Sequence, residues 1–130
     1  MKELILVIDD SKTTRNIVSF ILKSNGYKVI TAEDGIEGLE KLYSNADVAL
    51  IIVDINMPRM DGFTFIKNVR QQDAYKDLPI IILSTESEDE DIKTGIKLGA
   101  NIYLVKPVSK EVLIKSVKML LGKRKSKSGE

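Results

Sequence analysis

Cysteine and histidine are both missing from this chain of 130 residues. Without cysteine there is no disulfide, no thiol nucleophile and no thiolate metal site. Without histidine the commonest general base and transition-metal ligand is gone, so any acid–base chemistry must use Asp, Glu, Lys, Tyr or water. No apolar run approaches the length of about 18 residues that marks a membrane helix, and no signal peptide is evident. These absences favour a cytoplasmic protein with no membrane segment.

Net charge is almost balanced, at +1 from 20 basic and 19 acidic side chains. This balance gives no global indication of a nucleic-acid or anionic-membrane partner. The length suits one domain with a substantial core. We place that domain at residues 1–121 and predict a disordered basic tail over 122–130, because the tail is polar and has no apolar anchor.

Two continuous apolar runs end directly in carboxylates. Leu4–Ile8 is followed by Asp9 and Asp10, and Val48–Val53 is followed by Asp54. An apolar run without polar alternation is typical of a strand buried on both faces of a parallel sheet. Aspartate is depleted in strands and is seldom buried unless paired. The carboxylates therefore mark the points where these strands meet solvent.

Three further strands are predicted near residues 27–30, 79–83 and 101–105, the first of them at an edge of the sheet. The segments that separate the five strands carry apolar residues at helical spacing. Candidate helix caps are Ser11 or Asp10, Asp34 and Ser87. Ser87 with Glu90 resembles a capping box. Five strands alternating with five helices predict an α/β fold with a doubly wound parallel sheet.

Polar side chains follow four of the five predicted strands. In a parallel sheet the carboxyl ends share one edge, so these residues are expected to converge there: Asp9, Asp10, Asp54, Ser84 and Lys106. Three crowded carboxylates repel one another unless a cation intervenes, and oxygen ligands with waters and a phosphate suit Mg²⁺. A carboxylate can also act as a nucleophile and form an acyl phosphate. The edge therefore favours phosphoryl transfer, with Asp54 as the first candidate.

These motifs closely resemble the receiver domain of two-component response regulators. The resemblance covers residues 2 to about 121 and is closest to the single-domain, chemotaxis-type (CheY-like) members, since no output domain follows. It rests on Asp9-Asp10, Asp54, Asn56-Met57-Pro58, Met60-Asp61-Gly62, Ser84, Tyr103 and Lys106-Pro107.

The resemblance implies a flavodoxin-like sheet of order 2-1-3-4-5 and a phosphoryl-accepting role for Asp54. The donor would be the phosphohistidine of a sensor histidine kinase. Asp10, Asp54 and the backbone carbonyl of Asn56 would ligate Mg²⁺, with Asp9 acting largely through water. Lys106 would pair with the phosphoryl oxygens, and its bond to Pro107 would be cis.

The family's switch residues are implied at Ser84 and Tyr103. Ser84 would move toward the phosphate, and Tyr103 would turn inward behind it and remodel the surface of the fourth helix, fifth strand and fifth helix. Ser84 replaces the more frequent threonine, and Thr85 stands where a smaller residue is usual. Asn56 and Glu86 occupy positions at which the family tunes phosphoryl lifetime.

The sequence thus predicts a phosphorylatable signalling switch that catalyses only its own phosphorylation and dephosphorylation. Its expected partners are a sensor histidine kinase and a downstream target, such as the flagellar motor or another signalling protein. We expect a monomer with no DNA-binding domain. A phosphorelay intermediate and a receiver cut from a longer regulator remain open.

Two other classes fit less well. A Mg²⁺-dependent phosphatase of similar fold would carry a second acid where Asn56 stands. A flavodoxin-like cofactor binder would need a Gly-rich or Ser/Thr-rich phosphate loop after the first strand, which is missing. A receiver that is not phosphorylated is disfavoured by the intact acid cluster and Lys106.

Overall fold

One parallel sheet organises the molecule, with its five strands in the order β2-β1-β3-β4-β5. This is a computed structural model that describes the backbone of residues 2–129 and the side chains of residues 2–122. The strands are β1 (Leu4–Ile8), β2 (Lys28–Ala32), β3 (Val48–Val53), β4 (Ile80–Ser84) and β5 (Ile102–Val105). The predicted fold class, strand order and flavodoxin-like topology are confirmed, including the edge position of β2.

Burial on both faces explains the unbroken apolar runs of β1 and β3. Along β1, Leu6 and Ile8 pack into one core while Ile5 and Val7 pack into the other, because neighbouring strand residues point to opposite faces. All five residues of β1 are buried. Polar residues therefore follow β1 and β3 only at the carboxyl edge of the sheet, beyond the two cores.

Five helices cover the two faces of the sheet. Side chains of α1 and α5 pack in one core, whereas α2, α3 and α4 pack on the other face. A short 3₁₀ helix, Asp73–Tyr75, precedes β4 and had not been predicted. The helices are α1 (Lys12–Ser24), α2 (Gly35–Ser44), α3 (Gly62–Arg70), α4 (Asp89–Leu98) and α5 (Lys110–Gly129). Within the described residues no helix is long and apolar enough to cross a membrane.

Side-chain caps fix where four helices begin, and Ser109 caps α5 by accepting from the Val112 amide at 3.1 Å. Ser11, Asp34 and Asp61 each accept a hydrogen bond from the backbone N–H three residues later, at 3.2, 2.9 and 2.9 Å. Each cap satisfies a donor that the first helical turn leaves unpaired. These starts place the acidic residues before α1 and the loop before α3 at the carboxyl edge of the sheet.

The capping box predicted at Ser87 and Glu90 is wrong. The residue before α4 is Glu88, and it makes no side-chain capping hydrogen bond. Ser87 lies one position too early for its hydroxyl to act as the cap. Acidic side chains in the first turn of α4 still complement the positive end of the helix dipole.

The last helix extends beyond the predicted domain boundary at 121, since α5 is assigned to Lys110–Gly129. Side chains after Gly122 lie outside the described residues. The predicted domain limits and the disordered tail over 122–130 therefore stay predictions.

At the amino edge of the sheet, the guanidinium of Arg70 forms hydrogen bonds with several neighbouring segments. Arg70, the last residue of α3, donates twice to the carbonyl of Gly99 at 3.0 and 2.8 Å, and once to the carbonyl of Tyr75 at 2.7 Å. It also donates to Asn101 Oδ1 at 3.2 Å. Burial lowers the pKa of Arg70, and the charge of Asp77 offsets this only in part. This residue joins α3, the 3₁₀ segment and the start of β5.

Candidate functional site

Three carboxylates meet at the carboxyl edge of the sheet, as predicted. Asp9 and Asp10 follow β1, Asp54 follows β3, and one oxygen from each lies within 4.8 Å of the others. Asp9 and Asp54 are buried and, contrary to the prediction, do not meet solvent, because Lys106 pairs with both, whereas Asp10 is exposed. The cluster forms because β1 and β3 are adjacent and parallel, so their ends coincide.

One lysine enters this cluster from the far side of β4. Lys106 follows β5, and its Nζ lies 2.8 Å from Asp9 Oδ2 and 3.2 Å from Asp54 Oδ2. Only 18% of the Lys106 side chain is exposed. A single ammonium is thus shared by two buried carboxylates, and Asp10 brings a third negative charge.

The pKa values reflect this crowding. Burial raises the pKa of Asp9 above its usual value, with the charge of Asp54 adding to the effect, although Lys106 and the Ser11 amide oppose it. For Lys106, burial acts to lower the pKa, but the hydrogen bond with Asp9 and the charge of Asp54 outweigh it and raise the pKa. The two pKa directions agree with a Lys106 held in its charged form and with an Asp9 carboxylate whose negative charge is only partly compensated.

The backbone aims the two buried carboxylates. Asp9 Oδ1 accepts from the Ser11 amide at 2.9 Å, and Asp54 Oδ1 accepts from the Ile55 amide at 2.6 Å. Gly62 lies against the Asp54 carbonyl, where a Cβ would clash with the backbone. With Oδ1 engaged in each case, the second oxygens face the shared space and Lys106.

This donor set fits a hard cation. Carboxylate oxygens with room for waters are the ligands that Mg²⁺ prefers, and the group lacks the nitrogen and sulfur ligands that softer metals select. Asp9, Asp10 and Asp54 could hold it. The ligand role of the Asn56 carbonyl stays a prediction.

The predicted switch residues converge on Glu86. Ser84 is fully buried, and its Oγ accepts from the Glu86 amide at 3.1 Å. Tyr103, half-buried, donates its hydroxyl to the Glu86 carbonyl at 2.6 Å. Burial, and after it the charge of Asp91, raises the pKa of Tyr103, so the phenol stays protonated. Asn56 Nδ2 donates to Glu86 Oε2 at 2.6 Å and joins the loops after β3 and β4.

The bond between Lys106 and Pro107 is cis, as predicted. Thr85 is exposed beside the site. An apolar groove of about 380 Å³ adjoins Lys106 and runs between α1 and the start of α5, with Thr85 in its wall. Its lining includes Ile17, Val18 and Val108.

Sequence reasoning missed one ion pair near the site. Arg59, in the loop after β3, makes a two-point contact with Asp34, the cap of α2. The hydrogen bond to Arg59, more than the Glu37 amide, lowers the pKa of Asp34. The partners are 25 residues apart, and no local pattern in the sequence could have paired them.

Comparison with known proteins supports the same assignment. The family model of the response regulator receiver domain matches residues 5–118. Chemotaxis protein CheY1 of Helicobacter pylori is 42% identical over 119 residues, which cover 91% of this chain and 96% of that protein.

Solved structures agree. The structure of chemotaxis protein CheY4 of Vibrio cholerae has a TM-score of 0.86 at 42% identity and covers 92% of this chain and 99% of that one. The CheX–CheY–BeF₃–Mg²⁺ complex of Borrelia burgdorferi has a TM-score of 0.86 at 29% identity, with coverage of 92% and 89%.

These matches do not favour the phosphatase or cofactor-binding alternatives. The sheet order, the acidic cluster and the relatives point to one assignment. The chain belongs to the response regulator receiver domain family and is a phosphorylatable signalling switch, not a metabolic enzyme.

Proposed function

We propose that this chain works in the cytoplasm as a chemotaxis-type receiver in which Asp54 accepts a phosphoryl group from the phosphohistidine of a sensor kinase. The observation that supports Asp54 is its setting. It is a buried carboxylate at the end of a central strand, with Lys106 Nζ at 3.2 Å and two further carboxylates beside it. Cationic groups can therefore flank the oxygen that attacks phosphorus.

The transfer is a simple exchange of bonds. A carboxylate oxygen of Asp54 attacks the phosphorus of the donor, the new P–O bond forms, and the P–N bond breaks with its electron pair left on the imidazole nitrogen. Dephosphorylation follows when water attacks the same phosphorus, which returns the carboxylate and releases inorganic phosphate. Bound Mg²⁺ would supply charge neutralisation for the phosphoryl oxygens.

The chain's own residues would position these steps. Asp9 and Asp10, with Asp54, would hold Mg²⁺, in keeping with a Borrelia burgdorferi relative described as a BeF₃–Mg²⁺ complex. Lys106 would transfer a hydrogen bond from carboxylate to phosphoryl oxygen, because its Nζ already lies between Asp9 and Asp54.

Phosphorylation would reach the surface through Glu86. When the Ser84 hydroxyl moves to a phosphoryl oxygen, the Glu86 amide loses its acceptor. The Glu86 carbonyl is already the acceptor for Tyr103, so a shift of this backbone moves the tyrosine and the adjoining α4 surface. A downstream protein would recognise that change.

The kinase would approach over the apolar groove beside Lys106. Its lining by Ile17 and Val108 offers apolar contact beside Lys106. The motor or another signalling protein remains the proposed target, by analogy with the chemotaxis relatives.

The acceptor is tested by intact mass. The protein is incubated with acetyl phosphate and Mg²⁺, and the wild type is compared with Asp54→Asn and with Asp47→Asn, an exposed aspartate outside the cluster. We expect one added phosphoryl group in the wild type and in Asp47→Asn, and none in Asp54→Asn. Equal addition in all three, or none in the wild type, would contradict the proposal.

A further inference from the structure

A two-point ion pair joins the loop after Asp54 to the start of α2. Arg59 Nε lies 2.8 Å from Asp34 Oδ2, and Arg59 Nη2 donates to Asp34 Oδ1 at 3.1 Å. The Asp34 side chain is only 7% exposed, whereas that of Arg59 is 58% exposed. A buried carboxylate needs a partner, and a planar fork fixes the orientation of both groups. Arg59 is thereby held against α2 although it lies on the surface.

The backbone at Arg59 is unusual. Its φ of 64° makes it the non-glycine residue with positive φ among the described residues. Such a conformation is uncommon for a side chain of this size and persists where the surroundings enforce it. The next residue adds a second attachment to α2, since the Met60 carbonyl accepts from the Gly35 amide at 3.1 Å.

The same loop carries Asn56. It begins directly after Asp54, and the Gly62 amide closes it by donating to the Ile55 carbonyl at 2.8 Å. Asn56 therefore lies between this closure and the turn at Arg59. Whatever fixes Arg59 also limits where the Asn56 carbonyl can point.

We propose that Arg59 is a positioning residue for Mg²⁺: by holding Asp34 it fixes the loop that carries Asn56 and so prepares the cation site. This inference rests on the proposed function, because it assumes that the acidic cluster binds Mg²⁺. Neither Arg59 nor Asp34 belongs to the acidic cluster, so they would act through the loop.

The sign of the effect separates positioning from simple charge. Arg59 is a cation near a cation site, so its removal should strengthen Mg²⁺ binding if charge alone matters. If Arg59 positions the loop, its removal weakens Mg²⁺ binding. The two explanations therefore predict opposite changes in the same dissociation constant.

The test is a calorimetric titration of Mg²⁺ into the full chain. Arg59→Gly deletes the guanidinium and keeps a residue for which positive φ is favourable, but it also adds backbone freedom, so Arg59→Lys is the variant that isolates the ion pair. Arg59→Lys keeps the charge without the fork. Lys67→Ala removes an exposed cation of α3 as the matched control.

We expect the dissociation constant for Mg²⁺ to rise on the order of tenfold in Arg59→Gly, as when supporting residues of metal sites are removed. Arg59→Lys should also bind more weakly than the wild type, and Lys67→Ala should match the wild type. Amide hydrogen exchange over residues 55–61 should be faster in Arg59→Gly.

An unchanged or lower dissociation constant in Arg59→Gly, with the wild type binding normally, overturns the positioning role and leaves the proposed function intact. A wild type that binds no Mg²⁺ overturns both. In that case the acetyl phosphate experiment also fails in the wild type, which distinguishes the two failures.

Discussion

The two edges of the sheet treat charge in opposite ways. At the amino edge, Arg70 donates to two backbone carbonyls and one side-chain amide oxygen, and among the side chains of residues 2–122 no carboxylate forms an ion pair with it. At the carboxyl edge, one lysine serves two buried carboxylates while a third lies within 4.8 Å. One edge satisfies its charge with neutral dipoles; the other leaves an excess of negative charge.

This difference separates stability from ligand binding. The chain itself supplies four hydrogen bonds to the Arg70 guanidinium, and they hold the amino edge together. The two buried carboxylates share one ammonium and lie beside a third carboxylate, so the carboxyl edge keeps an excess of negative charge that a further cation would offset. The same sheet thus holds a closed structural edge and an open binding edge, and four predictions test that contrast.

The largest effect is expected at the closed edge. Arg70→Ala removes the two hydrogen bonds to the Gly99 carbonyl and one of the two donors to the Tyr75 carbonyl, which keeps the Leu78 amide, so the free energy of unfolding should fall by about 3 kcal/mol. The free energy of unfolding of both proteins is measured by urea unfolding. Arg70→Lys should recover only part of the loss, because an ammonium lacks the planar fork. A loss below about 0.5 kcal/mol, the usual size for a surface change, would remove the contrast.

The second largest effect is expected when Lys106 is removed from the carboxyl edge. Lys106→Met leaves Asp9 and Asp54 without an ammonium, and we expect the free energy of unfolding at neutral pH to fall by about 2 kcal/mol. Added Mg²⁺ should restore part of this stability, since the cation replaces the missing charge. Equal stability of Lys106→Met and wild type in EDTA would show that the folded acidic cluster does not depend on the ammonium of Lys106.

Removing a carboxylate should have the opposite sign. Asp54→Asn relieves repulsion within the cluster, so the variant should be more stable than the wild type by about 1 kcal/mol in EDTA. Thermal unfolding at matched pH checks this, with Asp47→Asn as the neutral control. A destabilised Asp54→Asn would mean that its pairing with Lys106 outweighs the repulsion.

The smallest effect is a difference in pH dependence between two buried aspartates. The pKa of Asp9 is raised from 3.8, so the folded state holds its proton more tightly, and the stability of the wild type relative to Asp9→Asn should fall as pH rises from 3.8 through the raised pKa. The pKa of Asp34 is lowered from 3.8. Wild-type stability relative to Asp34→Asn should therefore rise with pH up to 3.8.

These slopes are measured by urea unfolding in EDTA across the acid range. The two variants serve as each other's control, because each removes one buried carboxylate. Slopes of the same sign would contradict the assigned environments.

The open edge was visible in the sequence because apolar runs stop at its residues. Asp9 and Asp54 each follow a buried strand directly, Lys106 follows the half-buried edge strand β5, and parallel strands bring such ends together. Strand order and the acidic cluster therefore follow from local patterns combined with the family resemblance. The roles of the individual residues remain proposals.

The closed edge and the loop attachment were not visible. Arg70 ends an ordinary helix, and its partners Gly99 and Asn101 lie 29 and 31 residues later. Arg59 likewise pairs with a residue 25 positions earlier. Single long-range hydrogen bonds leave no periodic trace, so only the folded backbone reveals them. Ser87 shows the converse, since a convincing local motif was displaced by one residue.

Lys106 also connects strands that are not neighbours in the sheet. β5 pairs only with β4, yet its terminal lysine reaches past β4 to the ends of β3 and β1. Lys106 thus connects the edge strand β5 with the ends of two central strands. Under the proposed phosphorylation of Asp54, the contacts of Lys106 would change, and β5 with helix α5 would respond without touching the phosphoryl donor.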